Sequence, residues 1–269
     1  MSGWWGLPVL GSEHGAQIDR LLLLTHLFMA AIFVGWFIYG IYVLFRFRKS
    51  RNPQASHDGA RSKATYYIEA GVIVIEVLLL VALSVPFWSR YVVAVPDESE
   101  ALQVRVVAQQ YAWNFHYAGK DGVFGRTDQS FIDDELNPVG LDRDDPYGAD
   151  DIVVRNQLYV PLKKPVVLWL SSQDVIHSFN VPEMRVKQDV IPGVRTHISF
   201  VPALSTESYR KLKGSDDRTF EIACAQLCGL GHYRMRGFLN VLEPEAFDAW
   251  FEDNTPDPEA AEEYDPFFS

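Results

Sequence analysis

The chain has 269 residues, a formal net charge of -11 and 48% hydrophobic residues. That charge excludes nucleic acid as a partner, because duplex binding needs clustered Lys and Arg to displace phosphate counterions. Cys224 and Cys228 are the only cysteines, which excludes a disulfide scaffold.

Unbroken hydrophobicity lies in the first third and most Asp and Glu after residue 96, the signature of a membrane portion followed by a soluble one. From Leu21 to Phe45, 25 residues carry no charge if His26 is neutral, more than the roughly 20 that cross the hydrocarbon core. The preceding Glu13, His14, Asp19 and Arg20 are unlike the basic start of a cleaved signal peptide, so a retained transmembrane helix is expected. A second apolar stretch, Ala70 to Trp88, is interrupted only by Glu76. The predicted helices span about 21–45 and 68–90. Arg46, Arg48, Lys49, Arg51, Arg61 and Lys63 fall between them, and the positive-inside rule places this loop in the cytoplasm. Both termini are then expected outside, with an external domain over 96–255. Thr25 and His26 are assigned to helix packing. Glu69 and Glu76 are carboxylates at or near membrane depth, where such groups are costly and by default functional.

Beyond Pro96, short runs rich in Val, Ile, Tyr and Phe alternate with Pro, Gly and Asp. Strands are expected at Leu102–Val107, Asp151–Val160, Pro165–Ser171, Thr196–Val201, Thr219–Ala223 and Phe238–Leu242. Such spacing without helical periodicity predicts an antiparallel sandwich or barrel. The Asp-rich stretch 118–150 has no calcium-loop spacing and reads as a solvated surface loop. A short amphipathic helix is expected over Glu243–Asp253, followed by an acidic tail over 256–269.

The segment Glu221–Arg236, EIACAQLCGLGHYRMR, gathers two thiols, an imidazole and a thioether at Cys224, Cys228, His232 and Met235; a second imidazole is available at His177. Soft sulfur with imidazole favours copper, especially for electron transfer. Structural zinc usually takes tighter Cys spacing and leaves Met235 unused. A mononuclear blue-copper site leaves one thiolate surplus, and a Cys224–Cys228 disulfide leaves the flanking ligands unexplained. A copper pair bridged by both thiolates, each ion capped by one His, uses every donor.

Cys-x-x-x-Cys-x-x-x-His-x-x-Met, preceded by Asp-Val-Ile-His-Ser-Phe, resembles the dinuclear copper domain of cytochrome c oxidase subunit II. The resemblance covers both predicted helices and the external domain. It implies a two-helix membrane hairpin carrying an all-β, cupredoxin-like Greek-key sandwich. It further implies His177, Cys224, Cys228, His232 and Met235 as side-chain ligands, with the main-chain oxygen of Gln226 completing the centre. In the family the residue between the cysteines is often Glu, which also reaches a magnesium ion shared with subunit I; the neutral Gln226 disfavours that role. The run QQYAWNFHY, Gln109 to Tyr117, resembles the aromatic patch where electrons arrive from a c-type cytochrome, with Tyr111 and Trp113 as candidates. His116 and Gln173 stand where acidic docking residues are common, while Asp174 keeps its charge; this pattern points to a different or tethered donor, or one held within a supercomplex. Glu69 matches the carboxylate at the cytoplasmic mouth of a proton path into subunit I.

The expected partners are therefore oxidase subunit I and other oxidase subunits, a c-type cytochrome and membrane lipid. The expected location is the bacterial inner membrane. Haem is expected only in partner subunits, since no Cys-x-x-Cys-His is present. Reduction of oxygen belongs to subunit I, so the catalytic residues lie outside this chain. Two rivals are a copper storage or assembly module, and the copper-free subunit II of quinol oxidases; the full ligand set speaks against the latter.

Overall fold

Long apolar sequence satisfies its own backbone polar groups by coiling into helix, the only open-ended element that lipid tolerates. The structure, a computed structural model, describes residues 6–54, 57, 59, 62–90, 94–97 and 99–256. Arg61 of the basic loop and residues 257–269 of the acidic tail lie outside the described residues. Helix α1 is Gly15–Arg46 and helix α2 is Lys63–Trp88, both long and apolar enough to cross a membrane. Each starts before its apolar stretch, because helical hydrogen bonding continues through flanking polar residues. The Ser62 hydroxyl accepts from the Ala64 backbone amide at the start of α2, and the Asn52 side-chain amide donates to the Arg46 carbonyl at the end of α1. Thr25 and His26 bond the carbonyls of Leu21 and Leu22 in their own helix.

Among the described residues the soluble part holds ten strands: β1 Leu102–Gln109, β2 Ala112–Tyr117, β3 Ile152–Arg155, β4 Gln157–Pro161, β5 Val166–Ser172, β6 His177–Val181, β7 Val186–Val190, β8 Thr196–Phe200, β9 Phe220–Cys224 and β10 Arg236–Leu242. One sheet has the order β3-β2-β1-β5-β8 and the other β4-β10-β9-β6-β7. The core between them includes Val104, Phe115, Leu168, Phe179, Phe220 and Leu239, all fully buried. The β-sandwich follows the expected fold class, with a correction to its pairing. The ladders β1–β5 and β4–β10 are parallel, because the chain crosses between sheets before returning beside an earlier strand.

The single run expected over Asp151–Val160 is two strands in different sheets. The chain switches sheets at Asn156, which takes a left-handed φ of 59°. The Trp113 amide donates to Asn156 Oδ1 at 2.9 Å, and the Asn156 amide donates to the Trp113 carbonyl at 2.7 Å. Asn suits this corner because its short polar side chain tolerates the left-handed region. Helix α3, Thr206–Lys213, was also unexpected; Ser205 caps its start and Gly214, with φ of 63°, ends it. Helix α4, Pro244–Asn254, lies one residue beyond the expected range.

Residues 6–15 belong with the sandwich, although they precede α1 in the chain. The Gly11 amide donates to the Glu183 carbonyl, the Glu13 amide to Val201 and the Ala203 amide to Gly11. Val9 enters the core, and the Ser12 hydroxyl donates to the Met184 carbonyl at 2.6 Å.

The loop 118–150 is ordered by its own acids. Carboxylates of Asp121, Asp128, Asp133 and Asp142 each accept an amide two residues further on, forming successive turns. Its root is Asp151, fully buried, which accepts from the amides of Gly119 and Gly125 and from His116 Nε2 at 2.5 Å. His116 is therefore a buried anchor and not part of a docking face, which corrects the expectation drawn from the resemblance.

Burial holds the His116 pKa below its ordinary value, against the opposing pull of Asp151. Burial lowers His14 as well. A depressed pKa means that the unfolded state binds the proton first as pH falls. Stability contributed by neutral His116 is thus complete above about pH 6.5 and is lost on acidification through the folded pKa. The urea midpoint of the full chain in detergent should fall between about pH 7 and pH 5. His116→Gln, which keeps a donor but does not titrate, should flatten that decline; an equally steep decline would remove the assignment.

Candidate metal centre

Strand periodicity places the site. In β9, Phe220, Ile222 and Cys224 alternate into the core. The register sets Phe179 of β6 opposite Cys224, so His177, two residues earlier, faces the same interior end. The loop from Ala225 to Met235 joins β9 to neighbouring β10, and the Cys224 amide donates to the Met235 carbonyl at 3.3 Å. One loop between adjacent strands therefore returns Met235 to Cys224, while a separate strand delivers His177.

The donor atoms converge. Cys224 Sγ lies 3.8 Å from His177 Nδ1, 3.8 Å from Cys228 Sγ and 3.2 Å from the Gln226 carbonyl oxygen. Cys228 Sγ lies 3.6 Å from His232 Nδ1 and 3.7 Å from Met235 Sδ. Both cysteines are free and buried. Candidate atoms of His177, Cys224 and Cys228 all fall within 4.8 Å of one another.

Electrostatics argue that this cluster suits a cation. Burial raises the Cys224 thiol, but hydrogen bonds from His177 and from the backbone at Ser178 and Gln226 outweigh it and bring it down to about 6. Burial, then the charge of Cys224, pushes Cys228 up to about 12. Neighbouring thiolates repel, so the second proton leaves readily only when a cation binds both sulfurs. Two soft sulfurs, two imidazoles, a thioether and a carbonyl match copper better than any hard ion.

Asp174 tunes the cluster from behind. Its carboxylate accepts from His177 Nε2 at 2.8 Å, which leaves the Nδ1 lone pair turned toward Cys224. The same carboxylate accepts from the Gln110 and Val175 amides. Asp174 is itself exposed, so its carboxylate buttresses His177 while keeping one side open to solvent. Asp174→Asn should weaken copper binding by about 10- to 100-fold. Competition against a Cu(I) chelator on the full chain measures this, and unchanged affinity would assign Asp174 a purely structural role.

The aromatic candidates separate. Tyr111 is half-buried and lies against the ligand loop so tightly that a Cβ at Gly229 or Gly231 would meet its side chain at 2.6 or 2.5 Å. Gly229 also takes a φ of 130°, which L side chains rarely adopt. The Arg234 guanidinium stands 5.7 Å from the Tyr111 ring centroid. Trp113 is 0% exposed and packs edge-on to Phe179 at 5.4 Å and to His177 at 6.1 Å. It is a core residue, so it presents no surface to a donor, contrary to the expectation. Gln173 is half-buried, its side-chain amide donating to the Pro138 carbonyl. Glu69 lies on α2, in the helical unit. The Asp174 bond and the Gln110 side-chain bond to the Cys228 carbonyl were missed by sequence reasoning, although Asp at three residues before His177 was a readable signal.

The family model for the periplasmic domain of cytochrome c oxidase subunit II matches residues 102–241, from the first residue of β1 to within β10. This chain belongs to that family. An alternative cytochrome c oxidase subunit 2 from Bradyrhizobium diazoefficiens is 34% identical over 252 residues, covering 93% of this chain and 84% of that protein. Cytochrome c oxidase subunit 2 from Cereibacter sphaeroides is 26% identical over 265 residues, covering 93% and 80% respectively. The solved periplasmic domain of cytochrome oxidase subunit II from Bradyrhizobium japonicum is similar with a TM-score of 0.40 and 25% identity, covering 60% of this chain and 96% of that one. The chain is accordingly a membrane protein and subunit II of a haem-copper oxidase, with oxidase subunits as its partners.

Proposed function

We propose that this subunit accepts electrons from a c-type cytochrome outside the bacterial inner membrane and passes them to haem in subunit I, where oxygen is reduced to water with coupled proton translocation. The observation that carries the reading is the convergence of two free thiols, two imidazoles and a thioether at one buried end of the sandwich. His177, Cys224, Cys228, His232 and Met235, with the Gln226 carbonyl, would hold a pair of copper ions. When bound, such a pair supplies one-electron redox chemistry with the charge change shared between two metals and two sulfurs. Asp174 fixes the tautomer of His177, and Trp113 and Phe179 close the cluster against water from the core side. Tyr111, covering the ligand loop near the surface, is the electron-input residue of this reading. Magnesium has no part in it, since Gln226 offers an amide where a hard cation prefers a carboxylate.

The functional division is a hairpin within 1–95, an external domain over 96–255 to which residues 6–15 are added, and a tail over 256–269. Both flanks of the hairpin fall in the same sandwich unit, which supports an even number of crossings. With Arg46, Arg48, Lys49 and Arg51 at the opposite turn, the positive-inside rule sets the sandwich outside. On α2, Glu69 and Glu76 are seven residues apart and share one helix face. Glu69 is proposed as the cytoplasmic proton-uptake carboxylate; Glu69→Ala should slow proton uptake and pumping in the reconstituted complex, and unchanged turnover and pumping would remove it.

The deciding experiment is electron paramagnetic resonance with copper counting on the intact oxidase, together with stopped-flow oxidation of a reduced c-type cytochrome. A signal from one electron shared by two coppers, and rapid cytochrome oxidation, are expected. A single copper, or a redox-silent ion held by both cysteines, would overturn the relay. A storage module would instead hold Cu(I) without oxidising the cytochrome.

A further inference from the structure

The helical unit contains a groove of about 500 Å³, a volume in the range of small-ligand sites. Its polar rim is Gln17 and Arg20 of α1 and Arg90 just beyond α2. Its floor is Leu21, Leu24, Leu83 and Phe87. The spacing on α1 is that of one helix face, running from polar at Gln17 to apolar at Leu24 over about 10 Å. Residues 83 to 90 of the second helix run in the opposite order, from apolar to cationic, as a returning helix must for the polar ends to meet. Both guanidiniums therefore line the polar end of an otherwise apolar, open groove.

Two further features single out this end. Lys and Arg are depleted on the outer side of membrane hairpins, yet two arginines converge here, opposite the basic turn that holds Arg46, Arg48, Lys49 and Arg51. Helix α2 also loses regular geometry beside the groove: Leu79–Ser84 is a π-helical segment and Pro86, with no amide hydrogen to donate, follows it. Such wide turns in lipid persist where they border a cavity or a partner, and they recur at functional sites.

The geometry points to a binding site for one anionic glycerophospholipid, its phosphodiester between Arg20 and Arg90 and an acyl chain along Leu21, Leu24 and Leu83. Guanidinium forks match phosphate oxygens bidentately. A zwitterionic headgroup brings an ammonium that the same two cations repel, so net negative charge selects the lipid. The site requires only that the hairpin lie in a bilayer, and stands or falls separately from the copper relay.

Native mass spectrometry of the intact oxidase, equilibrated with phosphatidylglycerol or phosphatidylcholine in mild detergent, tests the site. Arg20→Gln with Arg90→Gln should weaken retention of phosphatidylglycerol by about 25-fold, from about one fivefold contribution per basic residue. Arg46→Gln with Arg48→Gln, at the other end, should leave retention unchanged. An unaltered copper spectrum in both variants verifies folding. Equal retention of the two lipids, or equal loss in both variants, would overturn the proposal. Loss of a partner subunit from the Arg20→Gln, Arg90→Gln complex with the lipid count unchanged would assign the arginines to a protein contact and overturn it too.

Discussion

Cys224→Ser or Cys228→Ser is expected to abolish the shared-electron signal and stop electron transfer from cytochrome, while the metal-free chain stays folded. Each sulfur contacts a different terminal donor: Cys224 faces His177 and the Gln226 carbonyl, whereas Cys228 faces His232 and Met235. Removing either leaves a single sulfur to hold both ions, which breaks the double bridge that shares the electron, so partial function is not expected. Serine cannot compensate, because its hydroxyl stays protonated near neutral pH and is a hard donor, whereas the thiolate is soft and is reached far more easily. The substitution exchanges one small buried side chain for another at the end of the core, so its cost to folding is expected within about 1–3 kcal/mol. Copper content, resonance spectrum and an unfolding curve on one preparation separate loss of metal from loss of fold. A native spectrum in either variant would refute joint ligation.

Trp113→Ala should cost the sandwich about 3–5 kcal/mol, the usual range for emptying a buried aromatic site. Against a total stability of about 5–15 kcal/mol, that loss leaves the domain marginal or unfolded. The indole lies between the sheets against Phe179 and His177, and the backbone of Trp113 also makes both hydrogen bonds to Asn156 at the sheet switch. Shrinking the side chain therefore loosens a metal-site imidazole and the corner where β3 becomes β4. Trp113→Phe fills most of the volume and is expected to restore stability and leave the bimolecular rate with cytochrome unchanged, since this residue presents no surface. Denaturant unfolding of the full chain gives the first quantity and stopped-flow kinetics the second. A stable Trp113→Ala, or a Trp113→Phe that folds normally but accepts electrons slowly, would return Trp113 to the electron-input role.

The parts of this protein legible in its sequence are those whose signal is local. The helices announce themselves by length of apolar sequence, and four of the five proposed ligand side chains fall within the run from Cys224 at the end of β9 to Met235, where thiols, imidazole and thioether stand close enough to read as a set. His177 is 47 residues from Cys224, and only strand pairing explains why they meet. Strand β2 escaped notice because every residue from Ala112 to Tyr117 is buried, Asn114 and His116 included, which erases the alternation that betrays a half-buried strand. Strand β7, VKQDV, is an edge strand whose central residues are polar. The His116–Asp151 anchor joins residues 35 apart through a loop whose acids resemble ordinary solvation. Helix α3 is different: Ser205 and Gly214 are ordinary start and stop signals, and the segment between them was open to reading.

The segment 6–15 has a consequence for anyone wishing to study the outer half alone. Cutting the chain after α2 removes Val9 from the core and strips the carbonyls of Glu183 and Val201 of the amides they receive from Gly11 and Glu13. The hairpin is thus a covalent detour whose two stems are sewn to the same fabric. A water-soluble fragment would keep its sandwich open along one seam, and supplying residues 6–15 as a fused peptide should close it.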